Sequence, residues 1–229
     1  MKKNFMIAEF MGTFALVFSG CGAIAANSVH GGVVGHLGVS LVFGLIVMAM
    51  IYSVGNISGA HINPAVTLGF VFSRRLKGKL AFPYILSQCA GALSAAFLLK
   101  LLFSPDADMG STVPSGSQAQ AFFMEVILSF LLMFVILNVS SGHKEKGIMA
   151  GVAIGGTVAL EAMFGGPVSG ASMNPARSLG PAVASGDLSQ LWIYLTAPVV
   201  GTLLASPTCR WIQGGECCHA AERLNRTDG

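Results

Sequence analysis

Apolar positions along this chain gather into six long runs, near residues 5–26, 37–56, 82–102, 118–139, 147–164 and 190–211. Each comes close to the roughly 20 residues that a helix needs to cross a hydrocarbon core about 30 Å thick. Two shorter apolar stretches, 66–72 and 177–184, are of another kind. Ten helical residues rise roughly 15 Å, about half of that core, so neither stretch crosses alone. Two such pieces meeting tip to tip would cross it together. The pattern predicts an all-α membrane protein of six spanning helices and two re-entrant half-helices. Lys2 and Lys3 before the first run resemble the start of a signal peptide, but Glu9 inside that run and five further spans favour a retained helix.

Each short stretch opens on the same tripeptide, Asn63-Pro64-Ala65 and Asn174-Pro175-Ala176, in matching frames, Ser58-Gly59-Ala60-His61-Ile62 and Ser169-Gly170-Ala171-Ser172-Met173. Asn is a good helix cap, and Pro at the first helical position loses no N–H that the helix needs. One copy would be a helix start and nothing more. Two copies in like surroundings make the chain an internal duplication, with Glu9 matching Glu125 near the opening of each half. Three spans per half send the second half in from the opposite face, so the halves are inverted and their broken helices meet near the midplane. The expected organisation is a single domain: repeat one over 5–102, a Ser-, Pro-, Gly- and Asp-rich linker over 103–117, repeat two over 118–211 and a polar tail over 212–229.

Composition agrees with a bilayer as the main partner. Charged residues are 10% against 53% hydrophobic, with mean hydropathy +0.71, too few charges to coat a soluble domain, which carries about 25%. Basic residues set the orientation. Lys2, Lys3, Arg74, Arg75, Lys77, Lys79, Lys144, Lys146, Arg210, Arg223 and Arg226 all fall on one side if six spans alternate. That side is expected to be cytoplasmic, with both termini inside. Asp106, Asp108 and Asp187 fall on the other side, where Lys100 is expected to snorkel from the end of its span. The net charge of +3 is thus a topology signal and gives no reason to expect nucleic-acid binding. No nucleophile–base pair suggests an enzyme, and no cofactor motif occurs. Cys217-Cys218-His219 are adjacent ligands that cannot close a tetrahedral site by themselves, so no metal is expected.

The doubled Asn-Pro-Ala, its frames, both membrane glutamates and the run Asn174-Pro175-Ala176-Arg177-Ser178 resemble the aquaporin, or major intrinsic protein, family over nearly the whole chain. The resemblance is to bacterial channels with a second half like that of plant nodulin-like intrinsic proteins. It implies a bundle of six tilted helices and two half-helices, a homotetramer with one pore per subunit, and a cell inner membrane. It also implies a constriction of four side chains, at Phe43, Ala162, Ala171 and Arg177. Water-selective members usually carry His at the position of Ala162. Alanine leaves a wider ring, apolar on one wall and with one guanidinium fork opposite. Such a ring suits a neutral hydroxylated solute such as glycerol, urea, boric acid or arsenous acid. A register error of one would instead put Glu161 in the ring. Ser178 and a short loop after the second motif depart from dedicated glycerol facilitators, favouring a broader pore for water and small solutes.

Half-helix N-termini carry unpaired N–H groups and about +0.5 charge, and two of them facing each other oppose protons and other cations. Asn63 and Asn174 are expected to donate to one passing water. Carbonyls of Gly59, Ala60, His61, Ile62, Gly170, Ala171, Ser172 and Met173 would supply acceptors along the wall, where irregular backbone is tolerable because it lines water. Glu9 and Glu125 either brace the broken-helix loops or relay protons. His61 is either a neutral wall residue or a titrating gate. A strictly water-selective channel and a proton-coupled transporter are the alternatives.

Overall fold

The computed structural model describes residues 4–104, 107–140 and 144–213. Lys2, Lys3, Asp106, Arg223, Arg226 and Cys217-Cys218-His219 lie outside these residues. Among the described residues eight α-helices follow one another: α1 (Asn4–Val29), α2 (Gly35–Ser58), α3 (Pro64–Phe72), α4 (Ala81–Leu102), α5 (Gln118–Val139), α6 (Lys144–Ser169), α7 (Pro175–Ser185) and α8 (Leu191–Gln213). Six are long and apolar enough to span a bilayer; α3 and α7 are the two half-helices. Span six ends beyond its predicted limit, and α6 runs on through Gly165, Gly166 and Pro167 to Ser169. Those residues read as helix breakers in water. Within a bundle, a neighbour can satisfy the backbone group that Pro leaves unpaired, so the helix continues.

The duplication is visible in the packing. Within the first half α1 lies on α4 and α2; within the second half α5 lies on α8 and α6. The halves meet through α2 against α6, and each half-helix packs on the last long helix of the other half, α3 on α8 and α7 on α4. Gly44 and Gly155, 111 positions apart like the two Asn-Pro-Ala motifs, face each other where α2 crosses α6. A Cβ on either would collide with the other's carbonyl oxygen, so this crossing is a backbone-to-backbone contact that small residues permit. Gly91 and Gly201 repeat the device, against Phe10 O of α1 and Val126 O of α5, one residue after each membrane glutamate. Gly156, in contrast, has open space beside it.

Two basic side chains close helix ends. Arg75 donates to Ser140 Oγ and Leu137 O at the C-terminus of α5, at 2.8 and 3.0 Å. Lys100 donates to Ala184 O at the C-terminus of α7, at 2.7 Å, instead of snorkelling to a headgroup. The carbonyl end of a half-helix has four unpaired acceptors and a partial negative charge, and it is a nearer partner than lipid phosphate.

Candidate functional site

The two broken segments, 59–63 and 170–174, have the same backbone. Gly59 and Gly170 end α2 and α6 at φ 88° and 84°, and both chains then alternate into the left-handed region at Ala60 and Ile62 (47° and 42°) and at Ala171 and Met173 (41° and 53°). A non-glycine residue there costs on the order of 1–3 kcal/mol. Something must hold each segment, and buried hydrogen bonds do. Glu9 Oε1 accepts from His61 N at 2.9 Å, and its Oε2 accepts from Ile62 N and from Gln88 Nε2, both at 2.7 Å. Glu125 Oε1 accepts from Ser172 N and Ser169 Oγ, both at 2.8 Å, and its Oε2 accepts from Met173 N at 2.7 Å. Tyr84 and Tyr194 add a hydroxyl each, donating to Ser58 O and Ser169 O at 2.7 and 2.6 Å.

The half-helices start where these segments end. Asn63 Oδ1 accepts from Ala65 N and Val66 N, and Asn174 Oδ1 accepts from Ala176 N and Arg177 N. Each Asn therefore caps its own helix. Each also reaches across to the other half: Asn63 Nδ2 donates to Met173 O at 2.7 Å, and Asn174 Nδ2 donates to Ile62 O at 2.9 Å. This crossed pair was not foreseen. It engages the carbonyls of Ile62 and Met173, two of the expected wall acceptors, and it leaves one N–H of each amide for the lumen.

A cavity of about 670 Å³ runs along these groups. Its walls include Gly59, Ala60, His61, Ile62, Asn63, Ala171, Ser172, Met173 and Asn174, together with Phe43, Ala162 and Arg177. Pro64, Ala65, Pro175, Ala176 and Gly170 are not on its walls. The first four are buried at the starts of α3 and α7, and Gly170 packs against Thr112. Apolar side chains of α2, α5 and α6, among them Val47, Leu132 and Val158, complete the lining. His61 is on the wall, yet its ring stacks on Phe70 and tilts against Tyr84, at 4.5 and 4.8 Å between centroids, with Nδ1 3.2 Å from Thr67 Oγ1. That packing fixes the imidazole in place.

At one end the cavity reaches Arg177, whose guanidinium carbon lies 5.0 Å from the centroid of the Phe43 ring. Arg177 Nη1 donates to Gly110 O at 2.5 Å, so one of its donors is engaged and the fork is held. Gly20 makes room for Phe43, since a Cβ there would collide with the ring. Ala162 and Ala171 both line the cavity and are nearly fully buried. Glu161 lies off the wall with no exposed surface, whereas its neighbour Ala162 is on the wall.

Several of these supports were missed from the sequence. Ser58 and Ser169 are 111 positions apart and Tyr84 and Tyr194 are 110 apart, so the repeat itself was the available signal. Gln88 has no such partner, because the corresponding stretch of α8 carries Pro198. Gly110 and Thr112 gave no signal. The linker dips toward the half-helices, where Thr112 Oγ1 donates to Ser178 Oγ at 2.8 Å.

Residues 2–208 match the major intrinsic protein family. The chain is 46% identical over 199 residues to the aquaporin NIP1-1 of Zea mays, covering 86% of this chain and 71% of the relative. It is 47% identical over 197 residues to the aquaporin NIP1-4 of Oryza sativa subsp. japonica, covering 86% and 72%. Its structure is similar to that of the aquaglyceroporin from Plasmodium falciparum, with TM-score 0.79 and 28% identity over 90% of this chain and 93% of that one. With two half-helices joined at their N-terminal ends by crossed Asn bonds, six candidate spans and a family match over nearly its whole length, the chain belongs to the major intrinsic protein family of membrane channels.

Proposed function

We propose that this chain is a passive pore for water and for small uncharged hydroxylated solutes, glycerol, urea, boric acid and arsenous acid among them, and that it turns back protons and ions. The observation that carries the solute range is the ring itself. Ala162 and Ala171 leave its second side bare, while Phe43 and Arg177 offer one apolar surface and one fork of donors. A hydroxylated solute presents CH on one side and OH on the other, which matches that division. The likeness to an aquaglyceroporin supports the same range.

Exclusion of protons follows from the midplane. The N-termini of α3 and α7 meet there, each with partial positive charge. The one N–H left on each Asn is available to a water oxygen, whose hydrogens then point away along the lumen and interrupt a proton chain. Ions fail at the ring, where dehydration in an apolar surround costs many kcal/mol. All four oxygens of Glu9 and Glu125 are engaged by the loops they adjoin, which supports bracing over a proton relay and a channel over a coupled transporter. Nothing in this arrangement calls for catalysis, a cofactor or a metal. We place both termini on the cytoplasmic side of a bacterial inner membrane, the side being set by the basic residues gathered there, and we place the pore in a homotetramer on the family likeness alone.

The test is stopped-flow light scattering on reconstituted vesicles challenged with water, glycerol, urea and boric acid gradients. Fast flux of water and of at least one solute, insensitive to a pH gradient, is expected. Water flux with no solute flux would leave the strictly water-selective reading.

A further inference from the structure

Helix α6 continues through Pro167, and a proline has no N–H to give to the carbonyl four residues before it. That carbonyl belongs to Met163, next to Ala162 of the ring. It does not go unpaired. His36 Nε2, from the start of α2, lies 2.7 Å from Met163 O and donates to it. Gly166 makes room for the imidazole, because a Cβ there would stand 2.9 Å from His36 Cε1. Donor, orphaned acceptor and cleared space thus coincide at one point. The imidazolium and one neutral tautomer both carry a proton on Nε2, so the bond does not require a particular charge.

The location gives the bond its consequence. His36 is on the same helix as Phe43, and Met163 adjoins Ala162, so the bond ties the two sides of the ring to each other. Helices α2 and α6 are joined at two other levels, by the Gly44–Gly155 crossing and by Tyr52 Oη donating to Ile148 O at 2.9 Å. His36 supplies the tie at the Arg177 end. We infer that His36 is a positioning residue for the constriction, replacing the donor that Pro167 removes from α6 and holding Ala162 at a set distance from Phe43. Solute discrimination by the ring then depends on a side chain that touches no solute. The inference rests on the wide-ring reading above for its choice of glycerol as probe.

The experiment compares glycerol and water permeability of vesicles carrying the parent, His36→Ala, His36→Gln, Pro167→Ala and the Pro167→Ala/His36→Ala pair. Loss of the tie lets α6 relax away from α2, so His36→Ala is expected to raise the glycerol-to-water ratio roughly two- to thirtyfold, the range that a remote positioning contact commands. Gln puts an N–H where the imidazole Nε2 lies, so His36→Gln is expected to restore the parent ratio. Pro167→Ala returns an N–H to Met163 O, and in that background removing His36 is expected to change nothing. An unchanged or lowered ratio in His36→Ala overturns the inference, as does an equal rise in the Pro167→Ala background. If His36→Ala does not fold, His36→Asn, too short to reach Met163 O, replaces it with the same expected rise. If the parent passes no glycerol, the solute reading fails by itself. The positioning role is then read on water permeability alone, which must change on loss of His36 in the parent and stay constant in Pro167→Ala.

Discussion

Ala162 and Glu161 are sequence neighbours with opposite surroundings, and both support a prediction. Ala162 is on the cavity wall, beside a ring whose one cation is held by Gly110 and Phe43. In the proposed pore Ala162→His adds bulk where the carbon face of glycerol would pass, and its nitrogens would compete for the solute hydroxyls assigned to Arg177. Water flux is expected to persist while glycerol and boric acid flux falls about ten- to a hundredfold, corresponding to roughly 1–3 kcal/mol of discrimination. Equal solute exclusion by parent and mutant in the stopped-flow assay would show that Ala162 does not widen the pore. Glu161 is fully buried, and neither carboxyl oxygen has a hydrogen-bond partner among the described residues. A buried polar group without a partner costs about 1–3 kcal/mol, more if charged. Glu161→Met keeps the length and removes the polar atoms. Thermal unfolding in detergent is expected at the parent temperature or above it, with unchanged water flux. A clear loss of stability would mean that the carboxyl has a partner, such as a bound water.

The half-helices depend on what their first residues do in three directions at once, and that sets the prediction at the level of elements. Asn174 caps α7 through Oδ1, bonds Ile62 O of the other half through Nδ2 and keeps one N–H for the lumen. Asn174→Asp preserves the cap, since a carboxylate accepts as well as an amide, but it has no donor. Its second oxygen then faces the Ile62 carbonyl, two acceptors where a bond of 2.9 Å stood. The expected result is a large loss of folded protein or of water flux, with any surviving channel leaking protons because the charge cancels part of the N-terminal dipole. Normal flux with tight proton exclusion would contradict this. Much of the element structure was legible because the sequence is written twice. Spacing of 111 positions relates the Asn-Pro-Ala motifs, the serines that precede them and the glycines at the α2–α6 crossing. The crossed amide bonds were hidden for a plain reason. A single motif shows its own cap, whereas the partner carbonyl belongs to the other copy and becomes a neighbour through tertiary packing. The linker was hidden more completely. Gly110 and Thr112 have the composition of any polar turn, and their approach to Arg177 and Ser178 depends on how the loop settles over the assembled bundle.

For the molecule as a whole, the proposed pore must keep cations out while it passes glycerol. Two positive groups lie in series along the cavity. One is the pair of half-helix ends at Asn63 and Asn174, a partial charge of about +0.5 from each helix. The other is Arg177, a full charge held at the ring by Gly110 O and the Phe43 face. Dipole ends act within about a turn, while a unit charge in a poorly hydrated ring acts farther. At an effective dielectric constant near 20, a charge about 4 Å away contributes on the order of 4 kcal/mol. Arg177→Val removes that term and leaves the dipoles. Proton or small-cation conductance is expected to rise roughly five- to a thousandfold, as loss of about 1–4 kcal/mol from a barrier implies. Water flux is expected to stay within about a factor of three, a change of well under 1 kcal/mol, because Asn63 and Asn174, which the proposal has order each water, are untouched. That retained flux is also the check that the mutant has folded despite losing the bond to Gly110. A pH-sensitive dye inside the vesicles measures the leak. If Arg177→Val stays as proton-tight as the parent while conducting water, the ring adds nothing to exclusion, and the two helix ends at the midplane carry the whole barrier.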